Sequence, residues 1–330
     1  MKSNMKNTLG LVLLVVVAIA GCKPTQVTTT ASKTEQTSAS TEEVLQTLAA
    51  DDMAGRKPGE AGMEKATVYV ESFLRNAGVK PYYGTSFRDT MNLSGVETYN
   101  VVGLIGDKNN GKPTLMLGAH LDHIGTKKSG ADTVYNGAND NASGVTAVLQ
   151  LAAKLAKEPQ PYNIIVALFT AEESGLQGSK HLAKRMKEEG AKLEFMLNFE
   201  MIGVPMAGQP DKVYLTGFED TDMAAQLNKA AGQDWVVFLP AEIQYQLFRR
   251  SDNYPFYQQM NIPAQTISTF DFKNYNYYHQ LEDEAQRLDP EHMDRVIDLS
   301  YKALKSMMDN KAKVSFSEIE LDVEVGSPGE

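Results

Sequence analysis

Cysteine, tryptophan and positive charge are what these 330 residues have least of. There is one cysteine, Cys22, and one tryptophan, Trp235. A single cysteine excludes a disulfide framework, a thiolate-rich zinc site and a paired-thiol redox centre. Lys plus Arg total 32 against 42 Asp plus Glu, a formal net charge of -10. That deficit excludes a general nucleic-acid binder, because nothing in bulk neutralises phosphate. No apolar run approaches the roughly 20 residues that a spanning helix requires; the most apolar stretch, residues 9–20, is too short. There is no internal repeat and no long linker inside the central part of the chain. What is present is 42% hydrophobic residues, enough for a sizeable core, so wholesale disorder is excluded as well.

The N-terminus reads as an address. Lys2 and Lys6 precede the apolar run, and Ile19-Ala20-Gly21-Cys22 closes it with small residues, the pattern of a secretory signal over residues 1–21. Ile-Ala-Gly-Cys resembles a bacterial lipobox, which implies cleavage before Cys22, lipidation of that residue and attachment to a lipid bilayer. Lys23, where an aspartate would mark retention at the inner membrane, resembles an outer-membrane address, so the expectation is an exported bacterial lipoprotein facing the periplasm or the cell surface. Residues 22–41 are Thr, Ser, Gln and Lys with little to bury, a flexible tether. Residues 42–310 hold the folded domain. The acidic tail 311–330 alternates over 315–325, which fits an edge strand or a loose end.

Within the domain, strands and helices alternate. Thr41-Glu42-Glu43 opens a helix; Ala66, Tyr69, Val70, Phe73 and Ala77 fall at helical spacing, and Gly78 ends that helix. Strands are predicted at 99–105, 113–119, 163–170, 193–199, 213–217 and 263–268, with helices at 141–155, 176–187 and 252–260. Asp289-Pro290-Glu291 starts a last helix running to about 308. The continuous apolar run from Ile164 to Phe169 suits a strand covered on both faces. The pattern predicts an α/β three-layer sandwich around a mostly parallel, mixed sheet, in one catalytic domain.

The strand ends carry chemistry. One delivers His120-Leu121-Asp122, the next Glu172-Glu173, the third Glu200, while Asp140 precedes a helix and His279 follows later. In open α/β sheets the site lies at the carboxyl ends of the strands. Carboxylates gathered there repel one another and resist ionisation unless a cation joins them. A donor set of imidazole and carboxylate without thiolate suits Zn²⁺, with Mn²⁺ or Co²⁺ as alternatives, and it is large enough for two ions sharing one bridging carboxylate, for which Asp140 is placed. Of two adjacent glutamates, one can bind metal while its neighbour stays free as a base.

These residues also form a resemblance. His120-Leu-Asp122, Asn139-Asp140-Asn141-Ala-Ser-Gly144, Glu172-Glu173-Ser-Gly-Leu-Gln-Gly-Ser179, Asn198-Phe-Glu200-Met-Ile-Gly203 and Tyr277-Tyr278-His279 resemble the co-catalytic zinc exopeptidases of the bacterial leucyl aminopeptidase type, whose relatives include glutamate carboxypeptidase and the glutaminyl cyclases. Ser251-Asp252-Asn253-Tyr-Pro-Phe256 is similar to a further family segment. The resemblance covers about residues 48–307. It implies two zinc ions per chain, one held by His120, Asp140 and Glu200, the other by Asp140, Glu173 and His279. It implies Glu172 as general base for a hydroxide shared by the metals, Asp122 orienting His120, Tyr278 donating to the developing oxyanion, and a free substrate amine meeting acids that include Asp252. Peptides are the implied substrates, cut at their N-terminal residue. Glu200 stands where the family often has Asp, and Asn253 where many relatives have His.

Other readings follow from other residues. A single-zinc glutaminyl cyclase would want a tryptophan-rich pocket, and Trp235 lies far from every motif. A carboxypeptidase would need a basic pocket, for which Arg249 and Arg250 are the local candidates; a solvated pair is the simpler reading of them. A non-catalytic surface lipoprotein on a peptidase scaffold is the third alternative. His123 reads as a structural neighbour of the ligands, and His181 and His292 as surface or cap residues.

Overall fold

The computed structural model describes residues 39–317; the signal reading, all but the last three residues of the tether reading (22–41) and all but the first seven residues of the tail lie outside the described residues, and Thr41, placed in the tether, already belongs to the first helix. The first helix, α1 (Thr41–Leu48), is capped one residue earlier than its hydroxyl pattern suggests. Ser40 accepts from the Glu43 amide while the Glu43 carboxylate accepts from the Ser40 amide, a reciprocal capping box. A 3₁₀ turn (Asp51–Arg56) leads to α2 (Ala61–Asn76). Then come β1 (Lys80–Pro81), β2 (Arg88–Leu93), β3 (Val96–Ile105) and β4 (Thr114–His120). The chain continues through α3 (Gly144–Leu155), β5 (Asn163–Phe169), α4 (Gln177–Glu188), β6 (Phe195–Glu200), β7 (Val213–Leu215) and α5 (Met223–Ala231). It ends with β8 (Val236–Val237), α6 (Pro240–Tyr245), α7 (Asn253–Met260), β9 (Ala264–Ser268) and α8 (Pro290–Asp309).

The strands form a single nine-stranded sheet among the described residues, in the order β1-β3-β5-β4-β6-β9-β7-β8, with β2 paired to β3. Its centre, β5-β4-β6-β9, is parallel. The β1–β3 hairpins flank it antiparallel on one side and β7 runs antiparallel to β9 on the other, so the sheet is mixed, as expected. Short β1 and β8, and the polar β2, lack the apolar runs that mark the central strands, and sequence patterning does not find them.

Side chains alternate across the sheet and divide the core. Leu115, Leu117, Ile164, Val166 and Leu168 face α1, α2, α3 and α8, while Met116, Ile165, Ala167 and Phe169 face α4 and α7. That is the three-layer sandwich, with both faces of the parallel strands covered. Layer separation is tight where α3 begins. A Cβ on Gly144 would lie 2.3 Å from the Phe199 carbonyl oxygen of β6, so only glycine lets this helix approach the strand.

Because β4, β5, β6 and β9 run parallel, their carboxyl ends share one edge. His120 pairs in register with Phe169, two residues before Ala171-Glu172, and Glu200 pairs with Ser268. The topology thus brings distant sequence positions to one place. No helix among the described residues is long and apolar enough to cross a membrane.

Candidate metal centre

Asp140 sits at the middle of the strand-end cluster. His120 Nε2 lies 3.2 Å from its Oδ1, and His279 Nε2 lies 3.1 Å from its Oδ2. His279 Nε2 is also 3.1 Å from Glu173. His123 Nδ1 approaches Glu173 Oε1 at 2.9 Å and Asp140 Oδ2 at 3.8 Å. One donor atom from each of His123, Asp140, Glu173 and His279 can be chosen so that all lie within 4.8 Å of one another. His123, which follows the strand-end motif and reads as a bystander in sequence, is therefore part of the cluster. Glu200 lies next to it, accepting from the Ser251 hydroxyl.

The chain bends sharply to present these groups. Ala171, Met201 and His279 all have left-handed backbone (φ 54°, 50° and 56°), each beside or at a strand-end functional residue. Asp122 fixes two neighbours at once. Its Oδ1 accepts from the Glu172 amide at 3.1 Å, and its backbone carbonyl lies 3.1 Å from His120 Nδ1. The second contact sets which ring nitrogen of His120 faces Asp140, the orienting role expected near Asp122 but carried by its carbonyl, since the carboxylate stands 3.9 Å off.

The Asn139–Gly144 segment is tied to the end of β6 by its polar side chains. Asn141 Oδ1 accepts from the amides of Gly144 and Met201, and Asn141 Nδ2 donates to the Phe199 carbonyl at 2.9 Å. Asn139 Oδ1 accepts from the Gly203 amide, and Ser143 Oγ from the Ile202 amide. The Asn-Asp-Asn-x-Ser motif thus has a physical reason: its flanking residues lock the loop carrying Asp140 onto the strand carrying Glu200.

Electrostatics follow from this crowding. Burial opposes ionisation of Asp140, but its contacts with His120 and His279 outweigh it and hold the carboxyl well below the usual range. Burial pushes Glu172 well above the usual range, with Glu200, Asp252 and Glu173 adding repulsion. Burial also raises Asp122 to about 6 and Asp252 to about 7. Hydrogen bonds to Asp140 and Glu173 raise His279 to about 10. Asp252, expected at the site edge for a substrate amine, is instead fully buried, and no hydrogen-bond partner reaches either of its oxygens among the described residues. It follows the cleft-lining Ser251 without itself lining the cleft.

A cleft opens beside the cluster, lined by Tyr214, Leu247, Phe270, Phe272 and Tyr278, with Glu172 and Glu200 on its floor. Tyr278 stacks on His279 with ring centroids 3.9 Å apart, and on Phe270 at 5.7 Å. Burial raises its hydroxyl above the usual phenol range. Of the paired arginines, Arg250 lines the cleft and Arg249 does not. Asn253 bonds to the carbonyls of Phe248 and Ala264, a structural role. Trp235 is buried, with its ring N–H on the Leu227 carbonyl, and takes no part in the cleft. His292 is buried in the first turn of α8, not exposed as its cap position suggests, because the apolar side of that helix packs it inward.

Two site residues carry no signal in the sequence. Arg56 is wholly buried beneath the cluster, and Asp283 bonds to the amides of Asn139 and Asp140 at 2.7 and 3.1 Å. Arg56 ends a short 3₁₀ turn beside Lys57, and Asp283 stands four residues beyond His279 in an acidic stretch; neither position repeats a pattern that could be read.

The raised Asp252 carboxyl predicts a pH dependence. A buried acid whose folded pKa is about 7, against an ordinary value of about 3.9, favours the folded state fully below about pH 4. Its contribution is lost as pH rises through 7. The metal-free protein should therefore melt lower at pH 7.5 than at pH 5, and Asp252→Asn should flatten that loss. An unchanged pH slope of the melting temperature in Asp252→Asn would contradict the burial argument.

Comparison with known proteins bears on the family and the fold. The chain is 35% identical over 218 residues to leupeptin-inactivating enzyme 1 of Streptomyces exfoliatus, covering 64% of this chain and 44% of that protein. It is 41% identical over 115 residues to an aminopeptidase of Pseudomonas aeruginosa, covering 34% and 19%. The chain thus spans less than half the length of either relative. Among solved structures, the LapA aminopeptidase of Legionella pneumophila superposes with a TM-score of 0.64 at 21% identity over 81% of this chain and 71% of that one. The glutaminyl cyclase of Porphyromonas gingivalis gives 0.64 at 18% identity over 82% and 97%. Both share the three-layer fold. The sequence pattern of peptidase family M28 matches residues 100–304, well over half of the chain and every strand-end motif, and the protein belongs to that family.

Proposed function

We propose that this protein is a zinc-dependent aminopeptidase that removes N-terminal residues from peptides. The observation that carries the reading is the run of contacts His120–Asp140–His279–Glu173, each at 3.1–3.2 Å, in a chain of this family. The donor set fits the metal: imidazole and carboxylate without thiolate, largely buried, with too many acids for the cations the protein supplies. In this reading His120, Asp140 and Glu200 would hold one zinc ion, and Asp140, Glu173 and His279 a second. Bound zinc supplies Lewis acidity to the scissile carbonyl and to water.

The chain's own residues do the rest. Glu172 takes a proton from the attacking water on a carboxylate oxygen and passes it to the leaving amine. It lines the cleft beside Asp140 and Glu200, within reach of a substrate bound there. Tyr278, kept protonated by its surroundings and fixed by stacking on His279, donates its O–H to the developing oxyanion. Tyr214, Leu247, Phe270 and Phe272 receive the side chain of the departing residue. A cyclase reading has no tryptophan in the cleft to support it, and a pyroglutamate assay separates the two.

Purified protein should hydrolyse aminoacyl anilides. Glu172→Gln should lower kcat by about 10²–10⁴-fold with KM little changed, the range for loss of a general base. Full activity in Glu172→Gln would sink the assignment.

We also propose export and acylation at Cys22, supported by the Ile19-Ala20-Gly21-Cys22 sequence and by the absence of any other cysteine. Labelled palmitate should enter the native chain in a bacterial host and not Cys22→Ala. Equal labelling of both would refute the anchor.

A further inference from the structure

Two charged residues outside the proposed ligand set grip the loop that carries Asp140, from opposite sides of its peptide groups. The Arg56 guanidinium donates to the carbonyls of Asn136 and Gly137 at 2.6 and 2.8 Å, while the Asp283 carboxylate accepts from the amides of Asn139 and Asp140. The Asp283 carbonyl also accepts from the Ala138 amide at 3.1 Å. Between the two grips the chain reverses at Gly137, with φ 55°, where a Cβ would meet the Asp140 carbonyl oxygen at 2.2 Å and the His123 ring at 2.6 Å. Every residue from 136 to 140 is thus held through its backbone by Arg56 or Asp283, Ala138 by the Asp283 carbonyl and the other four by the charged groups.

Arg56 reaches further. Its Nε donates to the Leu121 carbonyl at 2.8 Å, between His120 and Asp122, and its Nη1 also donates to Leu48 of α1 at 2.7 Å. The Arg56 carbonyl accepts from the His123 amide. One guanidinium therefore joins the end of β4 to the 136–140 loop. Burying a guanidinium costs several kcal/mol unless its donors are satisfied, and here four carbonyls satisfy it without a direct ion pair. The approach is built for it. Ala54, Gly55 and Arg56 are all left-handed, and a Cβ on Gly55 would lie 2.3 Å from the Gly125 carbonyl oxygen. Asp283 is anchored in turn by the Tyr275 hydroxyl at 2.6 Å.

We propose that Arg56 and Asp283 are positioning residues that fix the orientation of Asp140 by clamping its loop from the carbonyl side and the amide side, and that they set zinc affinity through it. The proposal rests on the ligand role given above to Asp140. Neither residue touches the ligand side chain, so the effect passes through the backbone, where a shift of a few tenths of an ångström misaligns a shared carboxylate.

Zinc affinity, measured by competition with a chromophoric chelator, tests it in the full chain beside kcat, KM and the melting temperature of the metal-free form. Asp283→Asn keeps the shape but exchanges an acceptor for a donor; Arg56→Lys keeps the charge but cannot serve four carbonyls. Each should weaken zinc binding by about 10–100-fold, the usual range for partners of metal ligands. Each should also lower kcat with KM within about threefold. Native affinity in both variants would overturn the proposal, and so would a lowered metal-free melting temperature with native affinity, which would mark both residues as structural. Should Asp283→Asn fail to fold, Arg56→Lys decides by the same criteria. Asp140→Asn is the control: its loss of zinc upholds the ligand assignment independently, and native zinc binding there would overturn that assignment and this proposal together.

Discussion

Carboxylates brought together in a poorly solvated place repel one another, and one edge of this sheet gathers Asp122, Asp140, Glu172, Glu173, Glu200 and Asp252. Two imidazoles, His120 and His279, are drawn well above their usual pKa by that company. They do not suffice for the acids: Glu172, Glu200 and Asp252 are all pushed up, each by burial first. The excess of negative charge is the constraint on which the rest turns. In the proposed reading, that excess calls for a cation of high charge density.

Holding such a cluster requires a frame that does not relax. Four parallel strands, covered on both faces, fix the starting points of His120, Glu172, Glu200 and the loop to His279. Short polar side chains then lock the loops to one another. Asn139, Asn141 and Ser143 fasten the Asp140 segment to the end of β6, and Asp122 fastens the end of β4 to the Glu172 amide. Beneath these bonds lies Arg56, a positive charge placed against backbone carbonyls and under the acids. Left-handed residues at Ala171, Met201 and His279 mark where the chain accepts strain at or beside the clustered acids and imidazoles.

Much of this was legible in the residues. The apolar run from Ile164 to Phe169 announces a central strand, and His120, Glu172, Glu173 and Glu200 stand immediately after such runs, so topology alone collects them. The starts of the first and last helices are legible to within a residue, as Ser40 and Asp289 show, whereas α3 starts three residues later than its pattern suggests and α5 and α6 carry no readable signal. What could not be read depends on tertiary reach. Arg56 precedes its partners Leu121, Asn136 and Gly137 by 65 to 81 positions, and nothing local distinguishes it from a surface arginine. In sequence His123 is a spare neighbour of His120, because the turn after β4, which aims it at Glu173, has no sequence period. Sequence places Asp252 at the site edge, whereas α7 packs its first turn against the sheet and buries it. The polar strand β2 and the two-residue strands β1 and β8 lack any run to detect.

The central claim, that this acidic edge is built to hold divalent metal, is tested most directly by metal content. Elemental analysis of the purified chain, paired with its melting temperature before and after chelation, measures both occupancy and linkage, since a ligand bound only by the folded state raises stability. The account predicts two zinc ions per chain, a fall in melting temperature when they are removed, and recovery when zinc is restored. A chain that carries no divalent metal after growth with zinc, and whose melting is indifferent to its addition, would contradict it.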